Sequence, residues 1–252
     1  MQALSTQQIL QIWDAGQRQH PIDRALTLLS AAMPDCSIDR LANLSIGQRD
    51  GYLLQLRELT LGSQLDSFTE CPNCSEPLEF QLQIGDLLLD VPRAIPVPEG
   101  FANEESGCGC FEDWEFQFRR LTSRDLATIL GCSTVQAAQQ QLVQQCVQAI
   151  HYQGQPRSVS EFPPLLLLSL SQQMAAADPQ AELLLDLTCP ACRHDWQILF
   201  DIVTFFWAEL NVQAKRLIGE VHTLARSYGW READILAMSS MRRQLYLDRV
   251  SI

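Results

Sequence analysis

The chain has no apolar run near the roughly 18 residues that a membrane-spanning helix requires. Stretches such as Leu165 to Leu168 are far too short, so no transmembrane segment is expected. Positive charge is scarce: 18 Lys and Arg stand against 30 Asp and Glu, for a net charge of −12. That balance argues against nucleic acid or an anionic membrane as partner, because phosphate binding needs a basic surface. There is no G-x-S-x-G, no glycine loop that would cradle phosphate and no H-E-x-x-H. Without a nucleophile constellation the chain reads as a non-enzyme with no small-molecule substrate. Met1 to Ser5 lacks a basic region followed by an apolar one, so no signal peptide is expected and the location reads as cytoplasmic. In that reducing setting the nine cysteines point to metal ligands or free thiols and not to a disulfide framework.

The chain is 252 residues long and 46% hydrophobic, enough for one large or two modest domains with a sizeable core. Two C-P-x-C turns organise it: Cys71-Pro72-Asn73-Cys74 and Cys189-Pro190-Ala191-Cys192. Each offers two thiolates from a tight turn, and four thiolates make a closed tetrahedral zinc site. Such a site has no open coordination position, so the zinc is expected to be structural. Cys71, Cys74, Cys189 and Cys192 are the expected ligands. More than a hundred residues separate Cys74 from Cys189, against roughly 15–20 in a common zinc ribbon. A weak internal repeat supports pairing of the halves. Phe68 to Cys74 continues to Leu78-Glu79-Phe80, and Leu187 to Cys192 continues to Trp196-Gln197-Ile198. In both, the first apolar residue after the turn falls four positions beyond the second cysteine. A redox role for each C-x-x-C is the competing reading, but no βαβ context surrounds either.

Periodicity gives an α+β fold, mainly helical. Ser5 with Gln8 and Ser45 with Gln48 form capping boxes ahead of apolar helical stripes. Pro21 opens a second helix, and Gly62 is placed to end the helix that follows Ser45. Phe68, Leu78, Phe80, Leu82 and Ile84 alternate as strands, as do Trp114, Phe116 and Phe118. The Pro- and Gly-rich residues 90–110 read as a loop. Thr122 and Asp125 mark a helix start. Residues 134–150 read as one glutamine-rich helix, and another runs from Pro163 or Pro164 to Ala177, where Asp178-Pro179 breaks it. Leu183, Leu185 and Leu187 alternate into the second turn, and Trp196, Ile198 and Phe200 alternate out of it. The tail is helical, with Gly229 closing its long helix. The segments are therefore an N-terminal helical region (1–65), a first zinc-ribbon half (66–90), an insertion of loop, strand and helix (91–182), a second ribbon half (183–200) and a C-terminal helical region (201–252).

Other candidates have plainer readings. Cys108 and Cys110 form a C-x-C that suits a second metal, a local disulfide or incidental thiols. Cys36, Cys132 and Cys146 read as small apolar residues. His194 is a substitute ligand for one thiolate, while His20, His151 and His222 are scattered. The acidic pairs Glu104–Glu105 and Glu112–Asp113 read as solvating residues. Arg242-Arg243 reads as a solvated helix face or a contact for an acidic partner.

Leu44-Ser45-Ile46-Gly47-Gln48-Arg49-Asp50 and Leu53-Leu54-Gln55-Leu56-Arg57 lead into the first C-P-x-C, and Asp178-Pro179-Gln180-Ala181-Glu182 leads into the second. Glu220-Val221-His222-Thr223-Leu224-Ala225, Tyr228-Gly229-Trp230, Ile235-Leu236 and Arg242-Arg243-Gln244-Leu245-Tyr246-Leu247 follow. In this order they resemble the T-even phage type baseplate hub assembly chaperone family, whose relatives occur with contractile phage tails and phage-tail-like contractile injection systems. The resemblance spans roughly residues 5–250. It implies a role in building the baseplate, as an assembly factor or a permanent subunit, with baseplate and hub proteins as partners. The location is then the cytoplasm or the assembled particle. The alternative from a different class is a zinc-ribbon regulator or nucleic-acid-binding protein.

Overall fold

The computed structural model describes residues 1–89, 106–159 and 162–250. The architecture is α+β and mainly helical. Helices α1 (Thr6–Gly16), α2 (Pro21–Ala32), α3 (Ile38–Ala42) and α4 (Ile46–Leu61) open the chain. Ser5 and Ser45 each accept the backbone N–H of Gln8 and Gln48, whose side chains accept the cap's own N–H in return. Both expected capping boxes are present. His20 caps α2, its Nδ1 accepting from the N–H of Ile22. The short α3 was not expected; Ser37 caps it.

The long helix α9 (Ile202–Tyr228) runs beside this group. Asp201 accepts two N–H groups at its start, and Gly229 at φ +66° ends it. Leu53, Leu54 and Leu56 of α4 and Phe206, Leu210 and Ala214 of α9 are fully buried in one core with residues of α1 and α2. Two polar contacts fix the register: Trp13 donates to Asn211 Oδ1 at 2.8 Å, and Arg57 grips Glu209 with two hydrogen bonds at 2.5 and 2.9 Å. Forked Arg–carboxylate geometry adds specificity as well as energy.

The tail continues as α10 (Glu232–Leu236) and α11 (Ser240–Val250). Arg243 of α11 is buried, not solvated. It donates to Glu220 of α9 at 2.8 Å and to the Met238 carbonyl at 2.7 Å. Arg242 lies by the Tyr246 ring. Removing one partner of a buried ion pair costs about 3 kcal/mol. Arg243→Ala is therefore expected to release α11 locally, read as faster amide exchange and proteolysis after Gly229 with the knuckle cysteines unaffected. Exchange unchanged in α11 would show that the pair does not hold it.

Two separate two-stranded sheets carry the C-P-x-C turns: β1 (Gln64–Glu70) with β2 (Pro77–Gln83), and β7 (Leu184–Thr188) with β8 (Asp195–Leu199). Ile84, read as strand, instead starts the helical turn α5 (Ile84–Leu87) and is fully buried in the helical core.

Between the hairpins lies a four-stranded antiparallel sheet, in the order β3 (Ser106–Phe111), β4 (Trp114–Arg119), β5 (Val147–Tyr152) and β6 (Gln155–Pro156). Helices α6 (Ser123–Thr128), α7 (Val135–Cys146) and α8 (Pro164–Ala177) accompany it. Phe116, Phe118, Ile150, Leu166 and Leu170 form its own buried cluster. Two expectations fail here. Residues 106–110 are strand, not loop; the rest of the 90–110 loop and Glu104–Glu105 lie outside the described residues. Residues 147–150 are strand, not the end of a helix. Gly107 and Gly109 lie beneath the rings of Phe118 and Phe116, which occupy the space their own side chains would take.

The start of α4 joins the two bodies. Asp178 accepts from the Ser45 hydroxyl at 3.1 Å and from the Gly47 N–H at 3.0 Å. Ile46 donates to the Leu121 carbonyl, and Arg49 reaches Ser123 Oγ at 3.3 Å and Asp50 at 2.7 Å. Beside this contact the expected cap of α6 is present, with Thr122 and Asp125 exchanging hydrogen bonds and Arg119 clamping Asp125. Burial alone would raise the Asp125 carboxyl, but the bonds from Arg119 and Thr122 outweigh it and hold it below the ordinary value. Its stabilisation is thus present above the usual carboxylate range and is lost as pH falls through the lowered value.

Candidate metal centre

Each C-P-x-C turn is built the same way. The N–H of Cys71 donates to the Glu76 carbonyl at 3.0 Å, and that of Ser75 donates back to the Cys71 carbonyl at 2.8 Å. At the second turn Cys189 donates to His194 and Arg193 to Cys189, each at 2.9 Å. Ser75 and Arg193, each just after the second cysteine, take φ values of +58° and +57°. This left-handed conformation lets the chain reverse just after each second cysteine. The long β1–β2 and β7–β8 ladders deliver the turns to the same place.

The four thiols meet there. Cys71 Sγ is 3.7 Å from Cys192 Sγ, Cys74 Sγ is 3.6 Å from Cys189 Sγ, and all four lie within 4.8 Å of one another. Four sulfurs about 2.3 Å from a zinc ion are separated by about 3.8 Å along the edges of a tetrahedron. The spacing therefore fits a tetrahedral thiolate site, and it exceeds the roughly 2.05 Å of a disulfide. Cys71 and Cys189 are buried, while Cys74 and Cys192 face solvent. Asn73 donates to Cys192 Sγ at 3.5 Å. This bond and the backbone N–H of His194 pull the Cys192 thiol down to about 6. At Cys74 the Glu76 backbone favours the thiolate, but the neighbouring thiols outweigh it and push the group up to about 12. One thiolate suppresses another at this range, so a cation is what allows all four to ionise together.

Among the described residues these four are the one group of ligand side chains so gathered. His194 does not join them; its ring stacks on Trp196. Cys146 is fully buried, and burial pushes its thiol up to about 11. Cys108 and Cys110 lie exposed on β3. Asn73, Ser75 and Arg193 escaped the sequence reading. The matched position after each second cysteine was the available signal, but glycine, the usual mark of positive φ, is absent there. Arg193→Gly removes a left-handed non-glycine residue, a conformation that costs about 1–2 kcal/mol, while adding unfolded-state entropy. The expected net is a gain of up to about 1 kcal/mol in urea melts with the thiol cluster intact. A loss would show that the Arg193 side chain has a role of its own.

A family model described as "T4 bacteriophage base plate protein" matches residues 15–207. No curated protein and no solved structure matches the chain.

Proposed function

The chain belongs to the T4 bacteriophage base plate protein family, and from that premise we propose a non-enzymatic structural or assembly role in the baseplate of a contractile phage tail or phage-tail-like injection machine. The family match over residues 15–207 is the observation that carries this reading. The convergent thiols support its second part, a zinc ion held by Cys71, Cys74, Cys189 and Cys192. In this reading residues 66–90 and 183–200 are two halves of one split zinc ribbon, 91–182 is an insertion carried between them, and 1–65 and 201–252 form the helical body. Zinc supplies charge compensation and cross-linking, while the protein's own part is to pre-turn two thiols at each knuckle.

Other baseplate and hub proteins are the partners this role requires. Co-purification of the tagged chain with tube-end subunits tests it, together with particle assembly in a deletion strain. The expected result is a stable complex and a loss of complete baseplates. Recovery of the chain as a free monomer, with normal particles in the deletion strain, would overturn it. The acidic balance of −12 gives no support to a nucleic-acid-binding ribbon.

A further inference from the structure

The outer face of the four-stranded sheet carries a second set of ligand side chains. Strand register places Cys110 opposite Glu115, and Glu115 opposite His151. Residues in register point to the same face, so these three form a row across β3, β4 and β5. Cys108, two positions along β3, stands on that face in the next row, opposite Gln117. The alternate residues Phe116 and Ile150 are buried on the other face. All four ligand-type residues line one open cleft of about 610 Å³. Both thiols are free and exposed.

The spacing bears on what this pair can do. Cysteines two residues apart on a strand have Cα atoms about 6.7 Å apart, at the upper limit of what a disulfide spans. Two thiolates that lean toward a metal ion between them need not approach so closely. A carboxylate directly across from Cys110 and an imidazole one strand further supply oxygen and nitrogen donors of the kinds that zinc accepts beside sulfur.

We propose that Cys108, Cys110, Glu115 and His151 form a second, open binding site for a thiophilic divalent metal ion such as zinc. It differs from the knuckle site in kind. Its donors stand in separate rows, whereas the knuckle thiols already lie within 4.8 Å. The ion must draw the side chains inward, so it binds more weakly and exchanges faster than the knuckle ion. The proposal is independent of the baseplate role, and its ion count takes the knuckle thiols as the site of the other ion.

Native mass spectrometry of the full chain with excess zinc tests it, before and after a short wash with a mild chelator. Two ions per chain are expected before the wash and one after it. The double variant Cys108→Ser, Cys110→Ser should hold one ion throughout with an unchanged far-UV spectrum, since both positions are exposed. His151→Ala should weaken the second ion by about tenfold or more. In Cys71→Ser the weaker ion should persist while the tighter is lost, which separates this site from the knuckles. A single ion in excess zinc, a second ion that survives the double serine variant, or an unchanged affinity in His151→Ala would each overturn the proposal.

Discussion

Cys71→Ser is expected to abolish tight metal binding and to destabilise the whole molecule, not one turn. Structural zinc sites in small domains hold about 10–16 kcal/mol of apparent binding energy. Here the helical core also stabilises the chain, so a loss of about 5 kcal/mol or more is expected. In a chain of this size each kcal/mol shifts the melting temperature by about 2–4 °C. Cys71 Sγ lies against Cys192, and Cys74 Sγ against Cys189, so each knuckle supplies half of the cluster. One thiol lost should raise amide exchange in β7–β8 as well as in β1–β2. Cys132→Ser is the control, since that thiol donates to Gln141 and a hydroxyl can do the same. If Cys71→Ser melts like wild type, the shared site is wrong.

The second large effect lies at the start of α4. A Cβ on Gly47 would overlap Asp178 Oδ1 and lie 3.1 Å from the Ala181 backbone nitrogen. The carboxylate it displaces is the one that holds the Ser45 hydroxyl and the Gly47 N–H. Overpacking costs about 1–3 kcal/mol, and a lost hydrogen bond to a charged group about 1.5–3 kcal/mol. Gly47→Ala should therefore cost about 3–5 kcal/mol in a denaturant melt. Asp178→Ala removes the same bonds and relieves most of the overlap. The double variant should then cost clearly less than the sum of the singles, as expected of residues in contact. Strict additivity would mean that the two residues do not meet.

Features that depend on neighbours in sequence were legible before the structure. The boxes at Ser5 and Ser45, the cap at Thr122, the stop at Gly229 and the two knuckles each need only a few adjacent residues. The pairing of knuckles was inferred from their matched spacing, and the thiols do converge. What escaped depends on distant residues. Strand β3 shows no large apolar alternation because Phe116 and Phe118 fill the space over its glycines. Strand β5 follows α7 without a break, and Val143, Cys146, Val147 and Ile150 keep helical spacing across the boundary, so the apolar pattern does not show the change of element. Arg243 looked like a surface charge because Glu220 lies 23 positions away. Likewise, Gly47 and Asp178 belonged to two separate stretches of the family resemblance, and only folding brings them into one contact.

The central claim is that the two knuckles share one structural zinc. X-ray absorption at the zinc edge on chelator-washed protein tests it most directly. The account predicts one zinc per chain with four sulfur neighbours at about 2.3 Å, and none in Cys71→Ser. A washed chain without metal, or one whose zinc has fewer than four sulfur neighbours, would contradict it.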